Sequence, residues 1–129
     1  MIGQIINLKD YDWKIKIFYN TNINDKDIIL DELKNICTDK KFINKAKQNI
    51  EYNSPNTGFI YTNYNTRQSL INISHATSKK EFIDTIVHEA NHLQSHIATY
   101  YNLNEKGEEV SYLIGYIVKQ MYLVFRKLI

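Results

Sequence analysis

The sequence predicts an α+β fold in which a small twisted β-sheet packs on a long helix, with a C-terminal helix beside it. Residues 13–19 alternate between apolar and polar side chains with period two, which is typical of a half-buried strand. The stretch after Ser78 and the stretch from about residue 105 to 127 repeat apolar residues at helical spacing. A length of 129 residues, without an internal repeat or a low-complexity linker, indicates one domain spanning residues 1–129.

The first half of the chain predicts one strand, two helical segments and a hairpin. After the strand at 13–19, a helix capped by Asn24 or Asp25 is expected to reach about Cys37. A further helical segment covers about 42–50 and stops at turn-forming residues. Two apolar stretches on either side of the turn Asn65-Thr66-Arg67 then predict a β-hairpin, with strands at 59–64 and 69–74.

The second half of the chain predicts two helices. Ser78 followed by Glu81 matches the capping box, so a helix should begin just after Ser78 and fray at about 99–101. Its apolar residues share one arc at 100° per residue: Phe82, Ile83, Ile86, Val87, Ala90, Leu93 and Ile97. The last helix, at about 105–127, carries a second apolar stripe. The predicted order is therefore β-α-(α)-β-β-α-α.

Composition and charge exclude several classes of function. A net charge of +2, with lysines scattered along the chain, argues against nucleic-acid binding. The single cysteine, Cys37, permits no internal disulfide, and the N-terminal residues lack the basic region of a signal peptide. The longest apolar run, 110–118, is too short to span a bilayer. We therefore expect a cytoplasmic protein with no membrane or nucleic-acid partner, in an oligomeric state that the sequence leaves open.

The motif His88-Glu89-Ala90-Asn91-His92 carries the functional signal. Residues four apart lie one above the other on a helix, so the His88 and His92 imidazoles can share one metal ion. Glu89 lies to one side, within reach of a water molecule on the metal without being a ligand itself. The helical wheel puts both histidines opposite the apolar arc and Glu89 at its border. This pattern predicts a Zn²⁺ site with Glu89 as the catalytic residue.

A catalytic zinc site needs a third protein ligand, and Glu108 is the first choice. It starts the last helix on the face away from that helix's apolar stripe, and two antiparallel helices with a short connection can bring such faces together. Glu109 is the alternative, nearer the apolar border. Glu108 could equally be a first-turn carboxylate that interacts with the positive end of the helix dipole.

Four further residues have weaker claims to the site. Tyr112, one turn after Glu108, could stabilise an oxyanion, although a packed tyrosine is the simpler interpretation. Asp84, one turn before His88, could accept a hydrogen bond from a ligand imidazole. His96 is expected to be exposed or to interact with the helix C-terminus rather than bind metal. His75 lies in a loop and is expected to be an ordinary loop histidine.

The region from about residue 59 to 122 resembles the core of the zincin metallopeptidases in their gluzincin branch. That branch carries His-Glu-x-x-His on one helix and Glu-x-x-Ser/Ala on the next, here His88 to His92 and Glu108-Glu109-Val110-Ser111. The resemblance implies zinc on His88, His92 and Glu108, with Glu89 activating a zinc-bound water. The spacing to the third ligand is shorter than in thermolysin-like enzymes, and no closing domain fits in the chain. The chain is therefore similar to minimal zincins of short bacterial and phage proteins.

The function expected from this resemblance is that of a zinc-dependent hydrolase, a small metallopeptidase that cleaves a peptide or protein substrate. The resemblance also implies a sheet edge upstream of the motif, which we assign to residues 69–74, along which an extended substrate could lie. The alternative is a non-catalytic zincin-like module that binds a partner protein. Metal content and peptide cleavage discriminate between the two.

Overall fold

The computed structural model describes all 129 residues, and their elements form a mixed sheet with helices on both faces. In chain order, the strands and helices are β1 (Ile2–Leu8), β2 (Trp13–Thr21), α1 (Lys26–Lys34), α2 (Lys40–Tyr52), β3 (Gly58–Asn63), β4 (Gln68–Ser74), α3 (Lys79–Tyr101) and α4 (Glu108–Phe125). Short 3₁₀ turns join β1 to β2 and β2 to α1, and another ends the chain. This is the α+β class that the sequence predicts, with one strand more than expected.

The additional strand is β1, which pairs antiparallel with β2 from Ile2 opposite Tyr19 to Leu8 opposite Trp13. Its signal in the sequence is weak because only its second half alternates clearly, and only Ile6 and Leu8 are buried. The pairing with β2 therefore defines this strand more than its own pattern does.

The strand order in the sheet is β1-β2-β4-β3. β2 and β4 are parallel, whereas β4 and β3 form the predicted antiparallel hairpin. Our assignment of residues 69–74 to the sheet edge is therefore wrong, because β4 lies between two strands and is buried on both faces. The edge beside α3 is β3, whose outer side pairs with no other strand.

Two hydrophobic cores lie on opposite faces of the sheet. The larger core joins one face of the sheet to α3 and α4, with Ile17 and Ile73 of the sheet meeting Ile86 and Leu93 of α3. The smaller core joins the other face to α1 and α2 and includes Leu70. The molecule therefore has three layers, and α3 lies over the half of the sheet that contains β3 and β4.

The helix boundaries agree with the sequence patterns to within a few residues. The side chain of Ser78 accepts a hydrogen bond from the Glu81 backbone N–H, which confirms the predicted start of α3. The helix ends at Tyr101, and the next residue, Asn102, has the left-handed conformation common after helix ends. None of the helices combines the length and the apolarity that crossing a membrane requires.

The buried arc of α3 differs from the predicted arc. Ile83 and Val87 are exposed, whereas Thr85, Glu89 and Gln94 are buried. The difference arises because β3 covers the side of α3 that carries Thr85 and Glu89, and hydrophobicity alone does not reveal that neighbour. Glu89 is therefore a buried carboxyl group and not a residue at the border of the core.

Candidate metal centre

The two motif histidines converge on the exposed face of α3. Their Nε2 atoms lie 3.1 Å apart, and their ring centroids are 4.7 Å apart with the rings nearly perpendicular. Both side chains are exposed to solvent. α3 continues without interruption through this segment, so the spacing of four residues places one imidazole above the other.

This separation fits two ligands of one zinc ion. Zinc–nitrogen bonds are about 2.0–2.1 Å long, so two nitrogens in a tetrahedral site lie about 3.3 Å apart. The observed 3.1 Å is within a few tenths of an ångström of that separation. His88 and His92 therefore need little movement to bind the same ion.

Glu89 follows His88 on α3, and its side chain is buried on the side of the helix that faces β3, with 4% of its surface exposed. Its Oε2 atom is buried and has no hydrogen-bond partner. Burial raises the pKa of the Glu89 carboxyl, and the neighbouring His88 lowers it by a smaller amount. A buried carboxyl oxygen without a partner is costly, and no hydrogen bond within the chain offsets that cost at Glu89 Oε2.

Gly58 provides the space that Glu89 occupies against the sheet. A Cβ atom at position 58 would lie 2.8 Å from the backbone oxygen of Asn72 and 3.2 Å from both Glu89 Cγ and Thr85 Cγ2. The start of β3 and the motif helix are therefore in van der Waals contact at this point, and a side chain at Gly58 would push them apart.

The structure does not bring Glu108 to the histidines. No three His, Cys, Asp or Glu side chains are grouped in a way that could hold a metal ion. α3 extends to Tyr101, nine residues after His92, which carries the chain about 14 Å along the helix axis before it turns. The start of α4 is therefore not grouped with the histidine pair, and zinc binding by Glu108 stays a prediction.

Glu108 instead lines a groove of about 1000 Å³ between the start of α4 and the connection from β1 to β2. Glu109 lies in the same groove and accepts a hydrogen bond from the Tyr11 hydroxyl at 3.1 Å. Tyr112 also lines this groove and is largely exposed, so it is neither packed nor near the histidines. Asp84 is exposed on α3, and the hydrogen-bonding neighbour of His88 is His92.

His96 has a role that the sequence did not predict. Its Nδ1 atom lies 2.7 Å from Thr62 Oγ1, which joins the motif helix to β3 one turn beyond His92. Burial lowers the pKa of the His96 imidazole, and the nearby His92 lowers it further. A half-buried neutral imidazole bonded to β3 is a positioning contact between helix and edge strand. His75 makes no such contact with β3 or the motif helix; its Nδ1 lies 3.0 Å from the backbone oxygen of Thr21.

The outer edge of β3 presents free backbone groups beside this centre. Ser74 donates a backbone hydrogen bond to Thr57, which sets the alternation in the antiparallel pair. The N–H and C=O groups of Gly58, Ile60 and Thr62 consequently point outward, away from β4. These three positions lie on the face of the sheet that packs against α3, as the contacts of Gly58 with Glu89 and of Thr62 with His96 establish.

No family model, no curated protein and no solved structure matches this chain. The fold and the arrangement of α3 and β3 are therefore the basis for inferring function. They combine two convergent imidazoles, one buried carboxyl group without a hydrogen-bond partner and one free sheet edge.

Proposed function

We propose that this chain is a zinc-dependent hydrolase and that its substrate class is peptides. The observation that carries the proposal is the 3.1 Å separation of the His88 and His92 Nε2 atoms on the helix that also carries the buried carboxyl group of Glu89. Two imidazoles would hold the ion, and a carboxyl oxygen without a partner lies next to them. These are two of the three protein ligands of a typical catalytic zinc site, together with the base that metal-assisted hydrolysis uses.

Zinc, when bound, supplies a Lewis acid that polarises a carbonyl group and lowers the pKa of water. Glu89 accepts the proton of the attacking water and transfers it to the leaving amine. The carboxyl group can do this because its Oε2 atom is not committed to another hydrogen bond. Its contact with Gly58 limits the side chain to a narrow range of positions, which favours proton transfer by orienting the carboxyl group.

The edge of β3 supports a peptide as the substrate. An extended peptide can add to an open sheet edge through backbone hydrogen bonds, which are independent of its sequence. The outward groups of Gly58, Ile60 and Thr62 offer such bonds, and Gly58 lies against Glu89. A peptide paired there would have its backbone next to the carboxyl group and the two imidazoles.

The test is cleavage of an unbiased peptide library by the zinc-loaded chain and by its Glu89→Gln variant. We expect hydrolysis by the wild type and a loss of about a hundredfold or more in the variant, because only the base is removed. Zinc content is measured in both proteins as the control. Equal cleavage by both would identify a contaminating protease, and no cleavage by the zinc-loaded wild type would contradict the proposal.

A non-catalytic module that binds a partner protein is the second candidate. The observation that favours it is the position of Glu108, which leaves the histidine pair without the third ligand typical of catalytic zinc. The same free edge of β3 would then bind an extended segment of the partner without cutting it. Peptide binding that persists without any hydrolysis would favour this function.

A further inference from the structure

A pair of stacked tyrosines lies at the far end of β3 from Glu89. The rings of Tyr64 and Tyr100 are 6.4 Å apart with an angle of 13° between their planes. About two fifths of each residue is exposed, 40% for Tyr64 and 42% for Tyr100. We refer to these two residues as the aromatic platform.

The platform is held from beneath by the only tryptophan of the chain. Trp13 makes edge contacts with Tyr64 at 6.2 Å and with Tyr100 at 5.6 Å between ring centroids. Trp13 is itself buried, and its Nε1 donates a hydrogen bond to Ser69 Oγ at 2.9 Å. The exposed rings are therefore supported from below, so these tyrosine side chains would lose little conformational entropy when a ligand binds.

The platform is continuous with the candidate metal centre. The ring of Tyr64 lies 6.0 Å from the ring of His96, which contacts Thr62 on β3. His96 follows His92 by one turn of α3. The edge of β3 thus begins at Gly58, beside Glu89, and ends just beyond Thr62, beside the platform.

The charge near the platform is also neutralised. Arg67 is the cation beside Tyr100, and its guanidinium pairs with the Asp12 carboxylate at 2.8 Å. The platform therefore offers flat aromatic surface without a free charge, on which an aromatic side chain can stack or make an edge contact.

Strand geometry specifies which substrate residue would reach the platform. In an antiparallel addition, the peptide residue opposite Thr62 points its side chain to the α3 side of the sheet. The peptide then runs in the N-to-C direction from Thr62 towards Gly58 and Glu89. The residue opposite Thr62 consequently lies on the amino side of any bond that is cut beside Glu89.

We propose that the aromatic platform of Tyr64 and Tyr100 is a specificity subsite that binds an aromatic side chain on the amino side of the bond to be cleaved. This inference rests on the proposed hydrolase for its direction, but the binding itself requires no chemistry. An aromatic residue on the platform would set the register of the peptide along β3 and hence the bond that is presented to Glu89.

Binding is tested with the full-length Glu89→Gln variant and two labelled peptides that differ only by Phe or Ala at one position. Fluorescence anisotropy should show about tenfold tighter binding of the Phe peptide, the effect of partly burying one phenyl ring. Tyr64→Ala and Tyr100→Ala, each added to this variant, should remove the preference. Tyr52→Ala should retain it, because Tyr52 is 80% exposed at the end of α2, outside the platform. Thermal melting identifies any variant that is unfolded.

Peptide cleavage provides an independent test of the same subsite. When the Phe residue is moved along the peptide, the bond cut by the zinc-loaded wild type should move in step with it on the carboxyl side. A preference for Phe without any cleavage would support the subsite and overturn the hydrolase. Cleavage without a Phe preference, equal binding of the two peptides, or a preference that survives in both folded tyrosine variants would overturn the subsite.

Discussion

The Nε2 atoms of His88 and His92 lie 3.1 Å apart on the exposed face of α3. The helix places the two side chains on one face, one turn apart, and their rotamers bring the Nε2 atoms together. The pair is therefore formed before any ion arrives, and binding has little ordering of side chains to overcome.

Zinc should bind in a one-to-one ratio and stabilise the fold. A ligand at a hundredfold excess over its Kd adds about 2.7 kcal/mol to the free energy of unfolding, so the melting temperature should rise with zinc and fall with chelator. His88→Ala and His92→Ala should abolish both effects. His75→Ala is the control, since His75 contacts Thr21 and not the pair. Elemental analysis and melting curves measure this, and trace metal in the wild type would contradict it.

Glu108→Ala should leave the zinc content unchanged. The Glu108 side chain lines the groove beside the β1–β2 connection and is not grouped with the histidines. The resemblance to gluzincins predicts a loss of zinc, so the zinc content of this variant distinguishes the two expectations. Loss of zinc in Glu108→Ala, while His75→Ala retains it, would mean that α4 moves towards α3 when the ion binds.

Two glycine-to-alanine substitutions should have opposite effects on stability. Gly58→Ala should lower the free energy of unfolding by about 1–3 kcal/mol, because the new Cβ would lie 2.8 Å from the Asn72 oxygen. Gly115→Ala should raise it by about 0.5–1 kcal/mol, since no atom lies within 4 Å of that Cβ and alanine favours a helix. Urea denaturation measures both. Equal stability of the two variants would show that Gly58 has more room beside Asn72 and α3 than these distances indicate.

Glu89→Gln should stabilise the protein while removing hydrolysis. The Glu89 Oε2 atom is buried without a hydrogen-bond partner, and a neutral amide is less costly to bury than a carboxylate. We expect a gain of about 1 kcal/mol at neutral pH, or about 3–5 °C in Tm. The comparison is made in chelator so that metal binding does not contribute. A lower Tm in the variant would indicate that the carboxyl group has a stabilising partner.

Backbone methylation of a substrate peptide should weaken binding at alternate positions. A peptide on the edge of β3 uses every second N–H group, because only Gly58, Ile60 and Thr62 offer outward groups. Each methyl group at a bonded position should reduce affinity by about fivefold or more, from the loss of one hydrogen bond. Calorimetry with the Glu89→Gln variant measures this. Uniform effects along the peptide would exclude strand addition.

Local patterns in the sequence were sufficient for the elements of the second half of the chain. The capping box at Ser78 predicted the start of α3, and the alternation on both sides of residues 65–67 predicted the hairpin of β3 and β4. The spacing of His88 and His92 predicted their convergence. Each of these features depends on contacts between residues that are close in sequence, so a pattern of a few residues contains the necessary information.

The tertiary structure alone decided where these elements meet. The order β1-β2-β4-β3 made β3 the open edge, although β4 has the more strand-like sequence. Packing of β3 against one side of α3 buried Glu89, and the packing of α4 placed Glu108 in the groove beside the β1–β2 connection. The physical reason is that periodicity identifies which face of an element is apolar, whereas the neighbour that covers that face is chosen by packing over the whole chain.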